Sequence, residues 1–141
     1  MKVRALIKRK PVVIRRDSTI IEAARLMVQE NVGLLVVVDE KGETPLGVVS
    51  ERDILRSYAA NTPPNTSVWN IATKSPVTAT LEEDVGSAAT KMVNKKIRHL
   101  VVVDEAGRLA GVLSIRDLVA EKSTLKAIVS SYEYEPFAGG D

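Results

Sequence analysis

The chain has 141 residues, 20 of them basic and 18 acidic, with 45% hydrophobic residues and no cysteine. That length holds one compact domain or two half-size repeats sharing a core, with the composition of an ordinary soluble globular protein that folds without crosslink or cofactor. Disulfides and thiolate chemistry are excluded, the net charge of +2 says little about partners, and the longest apolar run, Leu34–Val38, falls far short of the roughly 20 residues of a membrane-spanning helix.

The amino terminus, Met1-Lys2-Val3-Arg4, lacks the apolar stretch of a signal peptide, so a reducing cytoplasm is the expected compartment. A short lead-in over residues 3–8 runs toward Pro11, where proline enforces an extended backbone. Asp17, Ser18 and Thr19 supply helix-start chemistry, and Ile20, Ala23, Ala24, Met27 and Val28 follow at helical spacing, a stripe expected to pack into a core. Residues 32–38 form a β-branched run that is apolar on both faces, as in a strand buried from both sides. A turn with Gly42 leads to a partner strand over residues 46–49, and a second helix starts at Ser50. Residues 61–66 are a polar, proline-bearing linker.

The second half of the chain is a copy of the first. With an offset of 65, Val3 falls on Val68, Pro11-Val12 on Pro76-Val77, Ala23-Ala24 on Ala88-Ala89 and Met27-Val28 on Met92-Val93. Leu35-Val36-Val37-Val38-Asp39-Glu40 likewise falls on Leu100-Val101-Val102-Val103-Asp104-Glu105, and Gly42 on Gly107. The second turn is one residue shorter, after which the offset is 64: Gly47-Val48 meets Gly111-Val112, Ser50 meets Ser114, and Arg52-Asp53 meets Arg116-Asp117. The expected fold is therefore α/β (α+β): two βαββα repeats, residues 1–60 and 67–121, packed through their sheets with pseudo-two-fold symmetry. A helical extension and disordered tail are expected over 122–141. One unit of this size buries too little apolar surface alone, and two together make one adequate core.

The segment Gly47-Val48-Val49-Ser50-Glu51-Arg52-Asp53 and its copy Gly111-Val112-Leu113-Ser114-Ile115-Arg116-Asp117 each deliver Ser-x-x-Asp to a helix start. One reading is a capping box that satisfies orphan amides. The other is a ligand site in which an aspartate accepts the hydroxyls of a ribose. Spacing alone does not choose between them.

The ordered set of Pro-Val, helix, Val-Val-Val-Asp-x-x-Gly and Gly-Val-Val-Ser-x-x-Asp, present twice, resembles the CBS domain, named after cystathionine β-synthase. Two in tandem form a Bateman module, and the resemblance covers about residues 2–120. It implies a regulatory module that binds an adenine nucleotide (AMP foremost, ADP or ATP as alternatives) between the repeats. It also implies a site built from both. One cleft would combine Ser50, Arg52 and Asp53 with Pro76, Val77, Thr78, Arg98 and His99. The other would combine Ser114, Arg116 and Asp117 with Lys10, Pro11, Val12 and Val13, meeting Gly33-Leu34 where the first meets Arg98-His99. In this reading aspartate holds ribose and Arg98 and His99 hold phosphate, so the first cleft binds the nucleotide more tightly.

Hydrolytic, phosphate-loop and metal chemistry find no motif: there is one histidine, no Gly-x-Ser-x-Gly, no Walker sequence and no histidine–cysteine cluster. The expected role is an adenylate or energy sensor rather than an enzyme. It would act through an unidentified partner protein and form a homodimer through helices carrying Ile54, Leu55, Tyr58, Leu118 and Val119. Two alternatives stand beside it. One is an interaction module without nucleotide. The other is a nucleic-acid-binding protein, allowed by the cluster Lys8, Arg9, Lys10, Arg15 and Arg16 but lacking aromatics interleaved in sequence among those basic residues.

Overall fold

A computed structural model describes residues 1–120 and, beyond them, 126, 129 and 130. Apart from those three positions, the extension expected over 122–141 falls outside the described residues. The first repeat runs β1 (Val13–Arg15), α1 (Ile20–Glu30), β2 (Leu34–Val38), β3 (Pro45–Ser50) and α2 (Glu51–Ala59). The second runs β5 (Thr78–Thr80), α3 (Val85–Lys95), β6 (His99–Val103), β7 (Leu109–Ser114) and α4 (Ile115–Ala120). A short strand, β4 (Thr73–Lys74), lies between them in sequence.

Local chemistry explains these boundaries. Thr19 caps α1 in a box with Glu22, and Asp84 caps α3 through the Gly86 amide. Both helices end on a left-handed residue, Asn31 (φ 53°) and Lys96 (φ 55°). The turns between paired strands place Gly42 at φ +74° and Gly107 at φ +79°, where a Cβ would be strained.

Within each repeat the first strand pairs parallel to the second, and the second antiparallel to the third. The central strands are buried from both sides. Leu35 and Val37 of β2 pack under their own helices, whereas Val36 and Val38 turn toward the other repeat and meet Val101 of β6. Val48, Val103, Leu109 and Val112 complete this inter-sheet layer. In β6, Leu100 and Val102 face the second repeat's helices. Two-sided burial is why these strands carry no polar alternation.

The lead-ins are exchanged between the repeats. Val3 and Leu6, in a 3-10 turn at Val3–Leu6, belong to the core of the second repeat, with Ala79, Val85, Met92 and Leu118. Val68, in the matching turn at Val68–Asn70, belongs to the core of the first. Main-chain bonds fix both: Val3 N–H to Glu83 O and Val85 N–H to Met1 O, against Ile20 N–H to Thr66 O and Val68 N–H to Ser18 O. Lys2 and Arg4 also pair with Glu82 and hold its carboxyl down at about 2. Sequence order groups each lead-in with the repeat it precedes; in space each closes the other repeat. Val3 and Val68 are fully buried, and full burial of such a side chain contributes about 1.5–3 kcal/mol.

The sheets differ by one strand. The first has the order β1-β2-β3-β4 and the second only β5-β6-β7. Gly47 has no room for a Cβ, which would lie 2.7 Å from the Thr73 carbonyl oxygen, and the close approach lets β4 pair with β3. At the equivalent Gly111 the neighbour is the side chain of Ile7, so a methyl group fills the space that backbone occupies in the first repeat.

Two expectations about apolar residues need correction. Val28 and Val93 close the helical stripes in sequence, yet they are 81% and 54% exposed, because the buried faces of α1 and α3 end at Met27 and Met92. Leu118, placed on an outer helix face, is fully buried in the second core, and Ile54 is half-buried against the first.

Candidate functional site

The two Ser-x-x-Asp segments occupy equivalent positions with the same internal geometry. Ser50 ends β3 and caps α2; its amide and hydroxyl donate to Asp53 Oδ2 at 2.8 and 3.0 Å, and the Asp53 amide donates back to Ser50 Oγ at 3.2 Å. Ser114 and Asp117 repeat those three bonds at the same distances. The capping box is therefore formed twice. It does not use up the acceptors: among the described residues nothing donates to Oδ1 of either aspartate, and each serine oxygen keeps a lone pair. Both aspartates are half-buried. Each helix start thus offers a fixed carboxylate oxygen beside a fixed hydroxyl, an arrangement suited to a vicinal diol.

Strand register sets what lies beside each start. Leu34 pairs with Ser50, and His99 pairs with Ser114. The Glu51 amide donates to Gly33 O at 3.0 Å, and the Ile115 amide donates to Arg98 O at 2.9 Å. Pro11 and Val12 lead into β1 alongside β2, with Val12 O accepting from the Val36 amide; Pro76 and Val77 lead into β5 alongside β6, with Val77 O accepting from the Val101 amide. Pro11, Val12, Pro76 and Val77 are half-buried, whereas Val13 and Thr78 are exposed. Lys10, Arg52, Arg98 and Arg116 are exposed, and among the described residues no ion pair engages any of them.

Two observations link the repeats. His99 is half-buried, and burial is the main cause holding its pKa below the ordinary 6.5. Asp117 pushes it up, Arg116 and Arg98 push it down, and Glu51 of the first repeat pushes it up. The start of α2 and the start of β6 therefore share one electrostatic neighbourhood. Reciprocally, Arg116 of the second repeat lines an open groove of about 450 Å³ with Gly33, Glu51, Ile54 and Met27 of the first. A second groove, about 540 Å³, lies over β1 and α1 and includes Val13 but no other residue expected at a site. Neither groove brings together a full expected residue set. No group of three or more metal-ligating side chains occurs among the described residues.

Sequence reading missed two features. Glu51 had no assigned role, although alignment of the repeats shows it standing opposite Ile115. Trp69 lies between basic residues in space rather than in sequence, its ring 5.9 Å from the Arg16 guanidinium and 4.9 Å from the Lys74 ammonium. Positions 16, 69 and 74 meet only because the exchanged lead-in brings Trp69 onto the first repeat.

Comparison with known proteins agrees with this architecture. A CBS domain protein from Pyrobaculum aerophilum, solved in complex with AMP, is 39% identical with a TM-score of 0.88, covering 92% of this chain and 99% of that one. The CBS domain pair of protein MJ0100, solved with 5′-methylthioadenosine and S-adenosyl-L-methionine, is 28% identical with a TM-score of 0.79, covering 85% and 98%. An uncharacterized 17.7 kDa protein of Acidianus ambivalens is 36% identical over 117 residues, which is 83% of this chain and 70% of the relative. The chain spans 64% and 22% of two further curated relatives. The family model for the CBS domain matches residues 3–60 and again 68–123, so the chain belongs to the CBS domain family and carries two CBS domains in tandem.

Proposed function

We propose that this CBS pair is a regulatory module that binds an adenine nucleotide, AMP foremost, between its repeats and passes occupancy to a partner protein. The observation that carries the reading is the duplicated, half-buried Ser-x-x-Asp with Oδ1 outside its capping box, in a chain 39% identical to an AMP-bound CBS protein. The aspartate and serine take the ribose hydroxyls, and the backbone and apolar side chains at Pro76, Val77 and Thr78, or at Pro11, Val12 and Val13, take the adenine. Arg98 and His99 take phosphate in the cleft of Ser50 and Asp53, with Arg52 as a further cation. In the cleft of Ser114, Asp117 and Arg116, phosphate finds Arg116 and the run Lys8, Arg9 and Lys10, and binds more weakly. Glu51, next to Ser50, is among the charges acting on His99, which supports bringing the start of α2 near the start of β6, although the acid acting most strongly on that ring is Asp117 of its own repeat. Ligand and partner binding are then linked, each changing the other's affinity by the same factor.

Isothermal calorimetry of ligand-free protein with AMP, ATP and S-adenosylmethionine tests this. Hydrogen bonds to charged groups contribute about 1.5–3 kcal/mol each, so Asp53→Ala should cost about 2–4 kcal/mol, roughly 30- to 700-fold in affinity. Asp117→Ala should leave most AMP binding in place. Wild-type AMP affinity retained in Asp53→Ala would remove the ribose assignment.

One observation favours an accompanying role in self-association. Val28 matches Val93 in the repeat alignment and Leu55 matches Val119, and all four are more than half exposed, with Tyr58 at 82%. Apolar residues exposed at equivalent positions of both repeats form a face suited to a symmetric homodimer. Sedimentation equilibrium of Leu55→Glu against wild type tests it, with a shift to monomer expected.

A further inference from the structure

The two repeats place opposite charges beside the same main-chain bond. In the first, Gly33 accepts from the amide of Glu51; in the second, Arg98 accepts from the amide of Ile115. Equivalent backbone therefore carries one negative side chain in the first repeat and one positive side chain in the second. The Glu51 carboxylate occupies the room that Gly33 leaves: a Cβ there would lie 3.0 Å from Oε1 and 3.2 Å from Cδ. Any larger residue at position 33 would push the carboxylate away. Arg116 of the second repeat lines the same groove, together with Met27, Val28, Val32 and Ile54 of the first, while Ser114 and Asp117 lie outside that lining. No ion pair within 4.0 Å joins Glu51 to Arg116 among the described residues, so the carboxylate is not neutralised by direct contact.

We propose that Glu51 is a specificity-determining residue of the cleft that contains Gly33 and Arg116, where its carboxylate opposes a ligand's phosphate and leaves the cleft to adenosyl ligands without net negative charge. This rests on the adenylate-binding reading above and adds the charge selectivity of the second cleft. A phosphate approaching Arg116 must share that cation's field with Glu51, and like charges brought together are disfavoured. In the other cleft Ile115 stands at the equivalent position, and Glu51 reaches that cleft only through its effect on His99, the weakest of the charges acting on that ring. Neutral adenosine, or an adenosyl ligand whose charges sum to zero or above, meets no such repulsion. The imidazole of His99 lies within reach of the same field, together with Asp117, Arg116 and Arg98.

The test compares AMP with adenosine in calorimetric titrations of wild type and, in an Asp53→Ala background that leaves the cleft of Asp117 and Arg116 to be read, of the parent, Glu51→Gln and Glu51→Ile, the last reproducing the second repeat. An exposed charge acts through well-hydrated surroundings, so AMP should tighten about two- to fivefold relative to adenosine in both variants. An unchanged ratio, with AMP still bound, overturns the role of Glu51 and leaves the proposed function standing. Failure of wild type and variants to bind either ligand overturns the proposed function and this inference together. A second readout needs no ligand. His99 is the only histidine, so its ring protons give one NMR titration curve, and Glu51→Gln should lower its pKa. A curve that does not move places Glu51 outside the neighbourhood and overturns the inference as well.

Discussion

The two repeats have nearly the same backbone and different surfaces, and the contrast separates what a fold needs from what a ligand reads. Both carry the parallel-then-antiparallel strand pairing, the capped helices and the serine–aspartate box with matching distances. Their differences include the place where the helix starts meet the second strands: Gly33 and Glu51 in the first, Arg98 and Ile115 in the second. Core positions tolerate little change because close packing registers each methylene. Exposed positions at a junction are free to diverge, so one backbone presents two charge patterns.

The sharpest way to break the equivalence is through the exchanged lead-ins. Val3→Asp and Val68→Asp each bury an unpaired charge in the opposite repeat's core, and each should abolish cooperative unfolding near room temperature, as read by circular dichroism. The milder Val3→Ala and Val68→Ala should cost similar amounts, about 1–3 kcal/mol in urea melts. A cost confined to one of them would mean that the two closures are unequal.

A smaller effect is expected from pH at His99. Because burial lowers its folded pKa below that of the unfolded chain, the unfolded state binds more protons. This contribution to stability is fully present above about pH 6.5 and is lost as pH falls through the folded pKa. Phosphate contact favours the imidazolium, so AMP affinity should move the other way and weaken as pH rises between about 5.5 and 8. A pH-independent affinity across that range would separate His99 from the phosphate and shift the load to Arg98.

The smallest effect concerns the strand that only the first sheet possesses. Trp69 packs over Gly47 and β4, with Lys74 and Arg16 near its ring. Lys74→Ala should cost about 0.5–1 kcal/mol, the scale of an exposed cation–π contact, with a change in the fluorescence of the only tryptophan. If stability and emission both stay at wild type, the ammonium makes no energetic contact with the ring.

Much of the fold and both serine–aspartate boxes were legible in the sequence. Strands β2 and β6 announce themselves as short β-branched runs, and Thr19, Ser50, Asp84 and Ser114 mark helix starts because capping acts within three residues. Other features were hidden because they depend on which surface an element meets. Val28 has the same helical spacing as Met27's buried neighbours, yet its direction on the cylinder faces outward. Leu118 and Val119 are adjacent and both apolar, and the packing of α4 onto the second core buries the first and leaves the second exposed.

The sequence by itself determined the duplication, the order of elements and the two serine–aspartate boxes, because repeat identity, hydrophobic period and capping are local properties of the chain. Only the tertiary structure decided the exchange of the lead-ins, the fourth strand of one sheet and the meeting of Glu51, His99 and Arg116. Those outcomes depend on contacts between residues tens of positions apart, where a single missing Cβ at Gly33 or Gly47 sets how closely two segments approach.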